Sequence, residues 1–337
     1  WYGQLTNGYS SGDEISTGGN QWTSNRIVLE RGVVTEEAFV AEDSQSEMSS
    51  RQSAAKSKIN TELKTGRLKE SAARRDAKLV RQVLNDAWQL QPEVVAYLDT
   101  VFGEDGKTTL SQAEVDLTDT PIISANDFAA EYKDRSSGQV ELRSTDLATA
   151  IADWDTTNYP SWGVSVDASR RDFQIRVQRA LHDGQPVVIT WDVDFNAMES
   201  GDNERRGSFN MTTLNESGKP GRQGGHMTVL EDYEAETEAY GLLKAGETLD
   251  PDNEEDAAKL EALLEPSTSI KFFRIKNSWG AFRDDRASAP GFPGYHDLYM
   301  DYLRGPIKWC PSEDNKTNEN CRGDSVPLNS VMLPPGY

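Results

Sequence analysis

Two short stretches carry residues able to do chemistry. In "GGHMTVL", His226 stands at the start of an apolar run; in "IKFFRIKNSWGAF", Asn277 ends one and is followed by Ser278, Trp279 and Gly280. An imidazole changes charge near neutral pH and moves protons. A carboxamide donates and accepts hydrogen bonds without charge. Taken singly, each has a plainer use. A His beside a strand is commonly a surface or satisfied core residue, and an Asn before Ser-Trp-Gly starts a turn. The cysteines, Cys310 and Cys321, are separated by "PSEDNKTNEN", which is polar and turn-rich. They form either a small disulfide-closed loop or two free thiols. The loop points to a secreted or periplasmic setting rather than the cytoplasm. Their spacing does not suit zinc and no His is near, so no metal or cofactor is expected.

The elements that must position these residues read as a mixed α+β chain. In "NQWTSNRIVLERGVVTEEAFV", Trp22, Ile27, Val28 and Leu29 suggest one amphipathic helix stopped by Gly32, and residues 44–91 have helical composition, with Pro92 opening a further helix. "DFAAEY" reads as a short helix. "FGEDGKTTLSQAE" lacks oxygen ligands at the offsets a calcium loop needs. Phe173, Ile175, Val177 and Leu181 lie on a helix with His182 in its last turn; Gly184 caps it and Pro186 opens a strand. That strand, Val187 to Val193, is near-continuously apolar and therefore buried. Ile270, Phe272, Phe273 and Ile275 read as a half-buried strand. Residues 234–268 are rich in Glu and Asp and read as an insertion between strands. Residues 306–337 have little periodicity and read as a tail.

The chain of 337 residues carries a net charge of −21. This disfavours nucleic acid, whose phosphates need Lys and Arg, and anionic membrane surfaces. No run approaches the roughly 20 apolar residues of a membrane span. There is neither an initiator methionine nor a signal peptide, and "WYGQLTNGYSSGDE" reads as the middle of something, with upstream residues removed or in another chain.

Taken in order, His226 and Asn277 resemble the papain-like cysteine peptidases, in which a His opens one strand and an Asn ends a later one in the motif N-S-W-G. Asn277, Ser278, Trp279 and Gly280 match that motif without change. The unit "VQRALHDGQPVVITWDV" is similar to the family segment before the His, and its wording leans toward the bleomycin-hydrolase branch. "STGGNQW" resembles the family's Gly-Gly substrate-binding turn, which implies a substrate-binding role for Gly18 and Gly19.

The resemblance implies a papain-like two-lobe α+β fold, a helical lobe plus an antiparallel barrel-like sheet, with helical insertions. Residues 1–40 would belong to the helical lobe, 41–110 to a helical insertion, and 111–305 to the barrel-like lobe. It further implies that His226 is the general base and acid, Asn277 its orienter and Trp279 a shield against water. An oriented imidazole activates a thiol, which at pKa about 8.5 is a poor nucleophile while protonated. The family's nucleophile, a Cys-Trp pair at a helix start preceded by a Gln, is missing, and Cys310 and Cys321 follow the Asn. The expectation is thus hydrolysis of a peptide or protein substrate with a companion N-terminal segment supplying Cys and Gln, as after zymogen processing. The alternative is an inactive papain-like scaffold used for binding or assembly.

Overall fold

The Ala-, Lys- and Glu-rich first third folds as helices, and the apolar and alternating runs of the second half fold as strands, as their periods dictate. A computed structural model describes residues 1–6, 13–15, 19–39, 51–201, 203–278, 294–310, 321 and 323–337. These residues form two units, 1–130 with 146–151 and 131–145 with 152–337.

The first unit contains α1 (Tyr2–Thr6), α2 (Gln21–Arg31), α3 (Glu36–Phe39), α4 (Arg51–Lys64), α5 (Ser71–Arg74), α6 (Ala77–Trp88) and α7 (Pro92–Phe102). Asn20 caps α2 by accepting from the Thr23 N–H, and Asp76 caps α6 by accepting from that of Leu79. Gly32 ends α2 at φ 70°, where an added Cβ would strike the Ile123 carbonyl. Leu5, Ile59, Leu63, Val80 and Val83 make one buried cluster; Val101, Phe102 and Ile122 make another.

The chain crosses between units at β1 (Ala129–Asp134), β2 (Glu141–Asp146) and α8 (Leu147–Asp153), β1 and β2 forming a two-stranded sheet. "DFAAEY", expected as a helix, thus lies partly in β1, because pairing with β2 overrides the helical propensity of its alanines.

The second unit contains β3 (Asp155–Asn158), α9 (Val166–His182), β4 (Val187–Asp194), α10 (Met211–Ser217), β5 (Gln223–Thr237), β6 (Gly241–Leu243), α11 (Glu254–Leu263), β7 (Ser269–Lys276), β8 (Tyr295–Tyr299), α12 (Met300–Arg304), β9 (Ile307–Lys308), β10 (Asp324–Ser325) and β11 (Leu328–Leu333). Seven of its strands form one antiparallel sheet in the order β3-β11-β4-β5-β7-β8, with β6 on β5. The expected barrel-like sheet is an open one among the described residues, since edge strands β3 and β8 do not pair. The edge of β8 is met instead by Phe209, which accepts from the Tyr299 N–H and donates to the Asp297 carbonyl.

Helix α9 lays Phe173, Val177 and Ala180 into one cluster with Val187, Ile189, Leu230, Phe273 and Val331. Its buried Arg171 donates to the Leu263 and Glu265 carbonyls, satisfying acceptors that the end of α11 leaves open. Two expectations change here. The run at β7, read as half-buried, is buried from Ile270 through Ile275 apart from Lys271, because β7 lies between β5 and β8. Arg274 is accommodated by a two-point pair with Asp297 at 2.7 and 2.9 Å. The segment read as a C-terminal tail contributes β11, an interior strand between β3 and β4. Long-range pairing, rather than a local apolar period, makes this strand.

Candidate active site

Register places the imidazole. Trp191 of β4 pairs with His226 of β5, so both side chains share one face of the sheet. The rings stand 5.7 Å apart at 59°. Trp191 is fully buried, and its indole N–H donates to Thr228 Oγ1 at 3.2 Å, which fixes the ring beside the imidazole. Asn277 follows the last β5–β7 pair, Val229 with Lys276, and so stands level with Thr228. That is two residues from His226 on the same face, a diagonal within side-chain reach. Its own N–H donates to the Gly294 carbonyl at 2.9 Å, holding the chain at the start of β8.

The consequence is a contact of 3.0 Å between His226 Nε2 and Asn277 Oδ1, across 51 positions of sequence. An amide oxygen only accepts, so Nε2 carries the proton and the proton-accepting lone pair resides on Nδ1. Burial lowers the pKa of His226, and the bond to Asn277 works in the opposite direction. The ring alone is therefore neutral at pH 7. Asn277 is 7% exposed, and its Nδ2 is buried without a hydrogen-bond partner.

Three positions along the β4–β5 ladder from the Trp191–His226 pair, buried Asp194 accepts from the Asn196 and Gly221 N–H groups and from Gln223 Nε2 at 2.7 to 2.9 Å. Burial pushes its pKa up, and these bonds partly offset the effect. Gln223 Oε1 in turn accepts from the Cys310 N–H, and Gln223 Nε2 also donates to the Lys308 carbonyl. A disulfide joins Cys310 to Cys321, so its first half-cystine is tied to β5 three positions before His226.

Of the residues singled out in the sequence, His226 and Asn277 are brought together. Gly19 belongs to the first unit, exposed, just ahead of the cap of α2. Gly18 and Trp279 lie outside the described residues. Both cysteines of the chain are in the disulfide, so neither is a thiol here. His182 contacts Tyr233 Oη at 2.6 Å, and buried His296 contacts the Gly207 carbonyl through Nδ1 at 2.7 Å. Sequence reasoning passed over Trp191, Asp194 and Gln223. The one signal for Trp191 was a lone aromatic in a strand of mostly β-branched residues, and Asp194 and Gln223 had none, because their value lies in pairing between two strands. Among the described residues no group of three His, Cys, Asp or Glu side chains is placed to hold a metal ion, and no helix is long and apolar enough to cross a membrane. Comparison with models of known protein families and with curated proteins found no match.

Proposed function

We propose that this chain is the His- and Asn-bearing part of a papain-like cysteine peptidase whose nucleophilic thiol comes from polypeptide outside these residues. The observation that carries the reading is the 3.0 Å bond from an imidazole to the carboxamide of an Asn-Ser-Trp-Gly sequence. The finer fold assignment rests on the run from α9 through β4 to the His strand β5 and the Asn strand β7. The disulfide is consistent with an oxidising, secreted or periplasmic setting.

In this reading the companion thiol gives its proton to His226 Nδ1, and the opposite charge of the thiolate then favours the imidazolium against the effect of burial. The thiolate attacks the scissile carbonyl carbon and forms the C–S bond. Collapse of the tetrahedral intermediate breaks the C–N bond while the imidazolium protonates the leaving amine. Water, deprotonated by the same ring, then attacks the thioester, and the carboxylate product leaves as the thiol is restored. Asn277 holds one tautomer and one tilt through both half-reactions. By the same resemblance Trp279 is assigned the role of shield, and Gly18 and Gly19 a substrate-binding role.

A second reading is favoured by one specific observation, that both cysteines are bonded to each other. It is a papain-like scaffold without a nucleophile, used for binding or assembly. The test is to look for Gln followed by Cys-Trp in the coding sequence upstream, and to express that segment with this chain. A peptide epoxide or iodoacetamide should then label the companion segment, leave this chain unlabelled and abolish peptide hydrolysis. With no such segment the scaffold reading leads. Label on Cys310 or Cys321 with loss of activity overturns the assignment.

A further inference from the structure

A cavity of about 480 Å³ opens in the second unit, between the end of α9, the middle of β5, α11 and the segment that follows β6. It is six positions along β5 from His226, about 20 Å at roughly 3.3 Å per residue. Its size falls within the range of small-molecule sites. One wall is apolar, with Leu243 and Leu260. On another side the rings of His182 and Tyr233 stack with centroids 6.0 Å apart, joined by the 2.6 Å contact between Nε2 and Oη. Burial keeps both rings uncharged at neutral pH, holding His182 down at about 4 and Tyr233 well above the usual phenol range.

Three carboxylates add negative charge to the lining. Asp232 accepts one bond at each carboxylate oxygen, from the Tyr233 and Gly246 N–H groups at 2.7 and 2.6 Å. A carboxylate oxygen holding one backbone donor retains acceptor capacity. Glu231 accepts from Tyr295 Oη, and Glu247 adds a third carboxylate. Against these three acids the lining carries two basic groups, Lys244 and Arg274, and Arg274 is in addition paired at two points with Asp297. Two uncharged aromatic rings, an apolar wall and a net negative lining suit a positive group on an apolar body, through ion pairing and cation–π attraction.

We propose that this cavity is a second binding site, independent of the peptidase reading, for a small organic cation: an amine or guanidinium attached to an apolar body. The source is either a free amine or the side chain of Lys or Arg in a peptide.

Titration of the intact chain with benzylamine, followed by calorimetry and by NMR of the His182 ring, tests the site. Binding is expected to saturate with Kd on the order of 1 mM and to move the His182 signals. Benzyl alcohol, similar in shape and neutral, should bind at least about tenfold more weakly. Asp232→Asn should weaken benzylamine by a similar factor, and Leu260→Trp, which fills the cavity, should abolish binding. If Asp232→Asn fails to fold, Glu231→Gln and Leu260→Trp carry the test. Capped arginine amide and a capped Arg-containing pentapeptide separate the sources: binding of both indicates a side chain, and binding of benzylamine alone indicates a free amine. Equal binding of the amine and the alcohol, no saturation, or benzylamine binding unchanged in Leu260→Trp overturns the proposal. His226→Ala should leave benzylamine binding intact, so failure of the peptidase reading and failure of this one are distinguishable.

Discussion

Replacing Asn277 by Ala separates orientation from stability. Asn277 is buried, yet the two polar ends of its side chain fare differently. Oδ1 accepts from His226 Nε2, a bond contributing about 1 kcal/mol to stability. Nδ2 is buried with no acceptor, which costs about 1–3 kcal/mol. Truncation removes both, and the half-buried His226 can recover a water for Nε2. The loss of a small side chain adds a modest packing cost. The net change in unfolding free energy should therefore stay within about 1 kcal/mol of zero. Urea unfolding at pH 7, followed by tryptophan fluorescence, measures it. Nitrogen NMR of the His226 ring measures the second effect: a single Nε2–H tautomer in the native chain, and a mixture in the variant. With the companion segment bound, turnover should fall about 100-fold, the scale set by misplacing a catalytic group by an ångström. A destabilisation above about 2 kcal/mol would show that Asn277 is a structural residue whose amide is better satisfied than the geometry indicates. An unchanged tautomer would refute the orienting role outright.

Further outcomes follow from the buried charges and the disulfide. Asp297→Ala leaves Arg274 buried and without its two-point partner, and should destabilise the protein by about 3–5 kcal/mol in urea unfolding, whereas the double change Arg274→Met with Asp297→Leu should recover most of this loss. His182 is held at about 4 from an ordinary 6.5 by burial, so the unfolded chain binds the proton more readily. Its contribution is full above pH 6.5 and is lost as pH falls toward 4, by up to about 3 kcal/mol. Comparing unfolding at pH 7 and 4.5 in the native chain and in His182→Gln isolates this slope; equal slopes would remove His182 as its source. Reducing the Cys310–Cys321 bond, which spans 11 positions, should lower stability by about 2–3 kcal/mol, read as a shift in the urea midpoint between reduced and oxidised samples.

Local signals were most legible where the deciding physics is local. Gly32 ends α2, and Gly184 and Pro186 mark the passage from α9 to β4, because capping and φ preferences act within a turn. The Asn-Ser-Trp-Gly motif likewise needs no fold to be seen. The failures also have causes. β11 was hidden because "LNSVML" alternates weakly and stands between prolines, and its strand character comes from partners about 140 positions away, as in the pair of Thr190 and Ser330. The alanines of "DFAAEY" favour a helix until β2 offers a ladder. An apolar run such as that of β7 does not reveal whether one or both faces will be covered, and nothing in it announces that Arg274 will be buried against Asp297, 23 positions away.

By itself the sequence determined a mixed α+β chain of strongly negative charge, the termini of its clearest helices, and two side chains suited to moving and steering a proton. Only the tertiary structure decided that His226 and Asn277 meet, that Trp191 stands beside the imidazole, and that the two cysteines bond to each other beside Gln223. The physical reason is range. Periodicity and capping are settled by neighbours a few residues apart, whereas the meeting of the imidazole and the carboxamide is settled by strand register, where a slip of one residue would turn either side chain to the opposite face.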